Sequence, residues 1–508
     1  MRNLFRPSLT GMPSEDQNSD RSHADEPPAP EGTTSHDIKI PQALRLFMAQ
    51  GWAEPAPLAV APSAAAPSRA ARRARLAEHF PDDTLIIPTG TLRVRANDTD
   101  YRFRPASDFY WLTGDPEPDD VLVLAPSGAR LFVPARSDRP SPRFYTDRRH
   151  GELWVGPRFG PEETAAALNI DTAPLEELEK ALDGVSGARV LRGLNRRVDE
   201  LVATEDSRRD RELAAVLSEL RLVKDDHEIA QLEEAVAATV LAFEDVVRAL
   251  PDAIRHDRGE RWIEGTFNRR ARAEGNDVGY GSICACGPHA TILHWERNDG
   301  RVRPDQLLLL DAGVESRELY TADVTRTLPI GGRWPATERS IYEAVLSAQR
   351  TAIAIVRPGA AFLDPHRAAM EVLAEALREW GILDVPVSLA LSEDLEAEGA
   401  GVHRRWTLHG TSHMLGLDVH DCAAARNEHY RDGVLVEGMV LTIEPGLYFQ
   451  PDDLRVPARF RGIGVRIEDD VVVTADGCRV LSAALPTDPD DIEEWMARLQ
   501  ADRGDQAG

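Results

Sequence analysis

Four acidic side chains stand at the ends or in the interior of runs that otherwise read as buried β-strands, and this pattern restricts the fold more than any other. Asp311 closes the run Leu307–Leu310, and Asp323 follows in TADVTRT. Glu444 lies inside MVLTIEPG, on the face opposite Leu441 and Ile443. Glu468 lies in GVRIEDD, on the same face as Arg466, because strand side chains alternate. A carboxylate in such surroundings is costly to desolvate unless it is paired or bound to a metal. One such residue reads most simply as a salt bridge or an edge position. Four of them, with the histidine-rich segment HGTSHMLGLDVHD between the second and third, are hard to account for one by one.

The rest of the chain supplies a frame for these acids. DDTLIIPTG reads as a short strand ended by Pro and Gly, after a basic helical stretch that begins near Ala70. DFYWLTG, then VLVLAPSGARLFVPA, reads as two strands with a turn at Ser127–Gly128, and ARVLRGL as a further short strand. The clearest helix is LVKDDHEIAQLEEAVAATVLAFEDVVRAL. Asp225 and Glu228 form a capping box there, and Ile229, Leu232, Val236, Val240, Phe243 and Val247 make one buried stripe. A second helix runs from about Glu338 to Val356 and stops at Pro358–Gly359. Strands LLLLDAGV, MVLTIEPGLY and GVRIEDDVVVT are mixed with these helices without regular alternation, which implies α+β for the second half. The expected organisation is a mostly disordered arm over 1–68, a modest α/β domain over 69–205 and a catalytic domain over 212–495. Within the arm, PQALRLFMAQGW is expected to form one amphipathic turn that docks on the body or on a neighbour.

Composition removes several functions. The 59 Lys and Arg against 85 Asp and Glu leave a net charge of −26, the wrong sign for nucleic acid or an anionic membrane surface as main partner. No run approaches the length of a membrane span, and the N-terminus lacks an apolar signal segment, so a cytoplasmic protein is expected. Four cysteines are too few for a disulfide framework; Cys284 and Cys286 read as buried thiols. There is no H-E-x-x-H, nucleophile elbow or Walker A loop, and Gly462-x-Gly464 lacks the context of a dinucleotide turn. Four carboxylates with one imidazole instead suit a pair of divalent cations. Their oxygen-rich character favours Mn, with Co, Fe or Zn as alternatives.

At these residues the chain resembles a known family. DAG…ADVTRT, HGTSHMLGLDVHD, TIEPGLY and RGIGVRIEDD together are similar to the metal-dependent peptidases of the pita-bread fold, and within them to aminopeptidase P. FRPASDFYWLTGDPEPDDVLVL also resembles that family's N-terminal domain, so the likeness spans about 70–490. The resemblance implies a pita-bread C-terminal catalytic domain behind a smaller α/β domain. It assigns Asp311, Asp323, His413, Glu444 and Glu468 as ligands of two metal ions, with Asp323 and Glu468 bridging. His294 and His420 would face the substrate carbonyl, Glu444 would act as general base, and Arg466 would support the ligands. His409 reads as a buried hydrogen-bonding partner rather than a ligand, Tyr448 as packing or pocket, Trp111 and Trp295 as core or pocket aromatics. Asp98 in ANDTDYRF resembles an acid that reaches toward the site. The implied activity is removal of the first residue from peptides with proline second, by a homodimer or tetramer. Prolidase, acting on Xaa-Pro dipeptides, and a metal-free binding protein on the same fold are the alternatives.

Overall fold

The computed structural model describes residues 40–506, apart from 49, 54–57, 140, 186, 204–205 and 395. Most of the expected arm therefore lies outside the described residues. The described residues divide into two compact units, one made of those up to residue 53 with Val94–Thr99 and Ser137–Val155, and the other of the rest. In the first, PQALRLFMAQGW contains a helix, Gln42–Met48, rather than a single turn. Its Leu44, Leu46 and Phe47 are exposed, so no docked apolar face is formed by these side chains. Trp52 packs edge-on against Phe144, with Arg139 over its ring.

The second unit starts with helix α1 (Ala66–His79) and a five-stranded sheet. Its strands are β1 (Leu85–Pro88), β2 (Val121–Ala125), β3 (Gly128–Val133), β4 (Asp171–Pro174) and β5 (Arg189–Val190), in the order β4-β3-β2-β1-β5. The hairpin β2–β3 turns where the Ser127–Gly128 signal sits, with Ala125 opposite Gly128. DFYWLTG is not a strand: Ser107–Thr113 is a helix, closed by Gly114 in the left-handed region at φ 76°. Buried Phe109, Trp111 and Leu112 are spaced for a helix packed on a core, which a run of aromatics cannot distinguish from a strand. Arg72 on α1 binds Asp225 at 2.7 Å, and Arg104 binds Glu315 at 2.6 Å. These pairs tie the sheet's surroundings to the larger half of the same unit.

That half begins with helix α2 (Asp226–Arg255), whose capping box of Asp225 and Glu228 forms as expected. The helix runs five residues beyond Leu250, through Pro251. Helix α3 (Gly259–Glu274) packs beside it. Three antiparallel strands follow: β6 (Ile283–Cys286), β7 (Leu307–Asp311) and β8 (Thr325–Pro329), with β7 central. A central strand covered on both faces accounts for the uninterrupted run of leucines. Cys284 and Cys286 lie buried in β6, and all four cysteines are free. Helices α4 (Ala336–Ile353) and α5 (Asp364–Glu379) precede the histidine-rich segment.

The two acidic strands are where the structure departs from simple alternation. MVLTIEPGLY splits into β9 (Val440–Ile443) and β10 (Gly446–Phe449). GVRIEDDVVVT splits into β11 (Ile463–Arg466) and β12 (Asp469–Val473). Glu444 and Glu468 thus sit just past strand ends, not within strands. The cause is Pro445, which has no N–H to continue the ladder. Ile443 pairs with Asp469 and Gly446 with Arg466, one register on both sides of the gap. That register sets Glu444 across from Glu468. Like charges directly opposite destabilise a sheet, so a break containing both needs a compensating cation.

Candidate metal centre

Asp311 ends β7 opposite Thr325, and the ladder continues one step further, where Ala312 N–H donates to Val324 O at 3.1 Å. Gly313 follows because nothing larger fits: a Cβ there would stand 1.5 Å from Ala322 O. This tight crossing brings Asp323 back beside Asp311, and the Tyr280 hydroxyl reaches both carboxylates, 2.7 Å from Asp311 Oδ1. The sheets of β8 and β11–β12 meet at the same point. Glu468 N–H donates to Thr325 O at 3.1 Å, and Thr325 Oγ1 donates to Glu468 Oε2 at 2.6 Å. Behind them the buried Arg326 donates to Glu468 O at 2.6 Å and pairs with Asp469 at 2.7 Å.

His413 enters from the histidine-rich segment, held by Thr442 N–H donating to His413 O at 2.9 Å. Its Nε2 stands 3.3 Å from Asp323 Oδ2 and 3.4 Å from Glu444 Oε1. One ligand atom each of Asp323, His413 and Glu468 lie within 4.8 Å of one another. Asp311, Asp323 and Glu468 are buried, and Glu444 and His413 nearly so. The five residues expected from the sequence are therefore brought together.

The electrostatics fit a site built to hold positive charge. Burial pushes Glu444 up to about 7, against the pull of His413 and Arg466, and Asp323 and Asp311 push it further. Burial and the three neighbouring carboxylates raise Glu468 well above its ordinary value, and burial raises Asp311 although Arg466 opposes it. Burial alone would depress His413, but its bond to Asp323 and the charge of Glu444 carry it to about 9. Asp470, beneath Asp323 and accepting its N–H at 3.1 Å, keeps a buried Oδ1 with no partner among the described residues. Donors about 2.1 Å from one divalent ion stand roughly 3.0–3.4 Å apart at octahedral to tetrahedral angles, which matches the His413 separations. The donor set fits divalent metal ions.

Arg466 is buried and committed. It pairs with Asp311, donates Nη1–H to Tyr448 Oη at 2.9 Å and Nε–H to Thr325 Oγ1 at 3.1 Å. It therefore supports Asp311 directly and Glu468 only through Thr325. Tyr448 stands 2.8 Å from His409 Nε2, whose Nδ1 lies 2.9 Å from Gly410 O and 3.4 Å from Glu444 Oε2. Burial and the Arg466 charge drop His409 to about 3, so it is a neutral ring that accepts from Tyr448. His420 stands edge-on to His413 with ring centroids 4.5 Å apart, and it is exposed. His294 is also exposed and lines a groove of about 920 Å³ with Tyr448, Trp406 and Leu408. Its loop is fixed from below by fully buried Glu260, which accepts from Cys286 N, His289 Nδ1, Trp295 Nε1 and Gly300 N.

Trp295 is thus a buttress, stacked on His289 at 3.9 Å. Trp111 is core, donating to Glu228 at 3.1 Å. Asp98 pairs with Arg148 at 3.4 Å within the other compact unit. Sequence reasoning missed Tyr280, Thr325, Glu260 and Asp470. Only Asp470 carried a signal, since alternation from Arg466 through Glu468 reaches it in one more step.

Comparison with known proteins is consistent with this centre. The family model for metallopeptidase family M24 matches residues 230–475, and that for the aminopeptidase P N-terminal domain matches 69–190. Xaa-Pro aminopeptidase 1 of Streptomyces coelicolor is 52% identical over 89% of this chain and 91% of its own length. Xaa-Pro aminopeptidase 2 of the same organism is 50% identical over 90% and 96%. The structure of aminopeptidase P from E. coli with the inhibitor Pro-Leu superposes with a TM-score of 0.75 at 30% identity, covering 87% of this chain and all of that one.

Proposed function

Because the chain belongs to metallopeptidase family M24, in its aminopeptidase P branch with the pita-bread catalytic fold, we propose that it releases the N-terminal residue from peptides whose second residue is proline. The carrying observation is the convergence of Asp311, Asp323, His413, Glu444 and Glu468 on one point, in a chain half-identical to Xaa-Pro aminopeptidases. As a family M24 metallopeptidase the chain uses divalent metal ions. We propose two, most simply Mn, which Asp311, Asp323, His413, Glu444 and Glu468 would hold, as the four carboxylates would balance 4+. Bound there, such ions supply Lewis acidity that activates a water and polarises the scissile carbonyl.

The chain's own residues do the rest. Glu444 takes a proton from the attacking water and passes it to the proline nitrogen as that bond breaks. His294 and His420, exposed at the rim, donate hydrogen bonds to the carbonyl oxygen as negative charge develops on it. Arg466 holds Asp311 in place, and the Tyr448–His409 pair closes the wall beside Glu444. We propose domain limits of 69–205 and 212–495, supported by the family-model matches over 69–190 and 230–475. A homo-oligomer is supported by exposed Leu153, Trp154 and Val155, and a cytoplasmic location by four free cysteines. No helix among the described residues is long and apolar enough to cross a membrane.

A prolidase would need a dedicated cation for the dipeptide carboxylate. Arg466 is 3% exposed and fully engaged, so it does not supply one. The test is kcat/KM for Xaa-Pro-Yaa, Xaa-Pro and Xaa-Ala-Yaa under one condition with Mn supplied. The tripeptide with proline should be cleaved fastest. Preference for the dipeptide would make the enzyme a prolidase, and indifference to proline would overturn both.

A further inference from the structure

The groove lined by His294 and Tyr448 is also lined by Ile292, Leu408 and Trp406 and by two arginines, Arg404 and Arg405. Their charges are not equivalent. Arg405 is neutralised by Asp453, at 2.8 and 3.0 Å, and the same carboxylate takes the Trp406 Nε1–H at 3.0 Å. Arg404 is exposed and has no carboxylate partner among the described residues. It is an uncompensated guanidinium on the wall of a groove, in a chain whose net charge is −26.

The groove has about 920 Å³, near the upper end for a ligand site and more than a dipeptide fills. Its apolar lining is unusually open: Ile292 is 43% and Leu408 59% exposed. The lining holds no carboxylate, and with the Glu444 and Asp311 charges balanced by bound ions and Arg405 by Asp453, Arg404 is the charge left to act on a substrate in this groove. We propose that Arg404 is a specificity-determining residue that binds a carboxylate carried by the substrate beyond the proline, at its third or fourth residue. The carboxylate comes either from the chain terminus or from an Asp or Glu side chain; a guanidinium recognises both in the same forked geometry.

This rests on the peptidase reading above. The test uses the full-length Mn-loaded enzyme and Arg404→Gln and Arg404→Lys variants. Substrates are Ala-Pro-Leu-Gly against its C-terminal amide, and Ala-Pro-Leu-Asp-amide against Ala-Pro-Leu-Asn-amide. Because Arg404 is exposed, the wild type should favour the carboxylate partner of a pair by about three- to fivefold in kcat/KM, mainly through KM. Raising salt should shrink the ratio, Arg404→Lys should keep part of it, and Arg404→Gln should abolish it. An effect in the first pair alone assigns the terminus, and in the second alone the side chain. Equal ratios in wild type and Arg404→Gln overturn the proposal while leaving Xaa-Pro cleavage intact. Failure to cleave any of the four peptides would instead strike the peptidase reading.

Discussion

Replacing Glu260 by Gln should damage catalysis without touching the metal site, because Glu260 is the base on which the His294 loop stands. Its carboxylate is fully buried and takes four donors: Cys286 N–H and the His289 Nδ1–H on Oε1, at 2.9 and 2.8 Å, and Trp295 Nε1–H and Gly300 N–H on Oε2, at 2.9 and 2.6 Å. An amide accepts at only one end. If its NH₂ replaces Oε2, two buried donors face a donor. If it replaces Oε1, His289 can switch tautomer and accept, but the Cys286 N–H loses its partner. An orphaned buried donor costs about 1–3 kcal/mol, and loss of charge assistance to the remaining bonds adds to it. The milder orientation therefore costs about 2–4 kcal/mol, a fall in Tm of roughly 2–4 °C for a cooperative unit of this size. Gly464 makes the loop intolerant of displacement, since Ala290 O lies where a Cβ at 464 would be, at 2.0 Å. Loosening Thr291–Trp295 should move His294 and lower kcat by about tenfold or more, with KM less affected. Thermal unfolding and steady-state kinetics on Ala-Pro-Leu check both. A Glu260→Gln enzyme with wild-type Tm and kcat would refute the claim that this carboxylate positions the loop.

Asp323→Asn should abolish activity far more completely than Arg466→Lys, which should cost roughly 10–100-fold, because Arg466 acts only through Asp311, Thr325 and Tyr448; kcat/KM with Mn in excess decides, and a near-normal Asp323→Asn enzyme would remove its role as a metal ligand. Asp421→Ala should destabilise by about 3–5 kcal/mol in urea unfolding, since it strands buried Lys224, 2.9 Å away, while Arg221 keeps Asp108 and Asp418; a loss under about 1 kcal/mol would contradict this. His366, hydrogen-bonded to Thr411 at 2.9 Å, is held near 4 by burial and then by the charges of His403, Arg431 and Arg404. Its folded pKa lies below the ordinary 6.5, so its contribution is complete above pH 6.5 and is lost as pH falls toward 4, by at most about 3 kcal/mol. His366→Gln should flatten the fall of Tm across that window, and an unchanged slope would exclude it.

The proposed metal ligands could be picked out in the sequence because each stands out against an apolar run: a charge after Leu307–Leu310, or between Ile443 and Pro445, is hard to place in a core without a cation beside it. The face assignments were less secure. Glu468 does share a side of the chain with Arg466 and Asp470, yet the strand is broken at Ile467–Glu468, because its partner breaks at Pro445, and pairing between segments is not written in either segment alone. Tyr280, Glu260 and Thr325 stayed hidden for a similar reason. Each acts on a carboxylate or loop well separated from it along the chain, and nothing in VGYGS or RGERW marks the tertiary partner. The helix Ser107–Thr113 was hidden differently, since FYWL packs equally well as a strand or as a short turn of helix against a core.

The central claim is that five convergent side chains hold a pair of divalent ions. Metal analysis by inductively coupled plasma mass spectrometry, on protein purified without added metal and then dialysed against limiting Mn, tests it most directly. About two ions per chain are expected for the wild type, and a clear loss for Asp323→Asn with the fold retained by circular dichroism. No bound metal in the wild type, or a content indifferent to Asp323, would contradict the account and leave the buried acids of this sheet junction without their counter-charge.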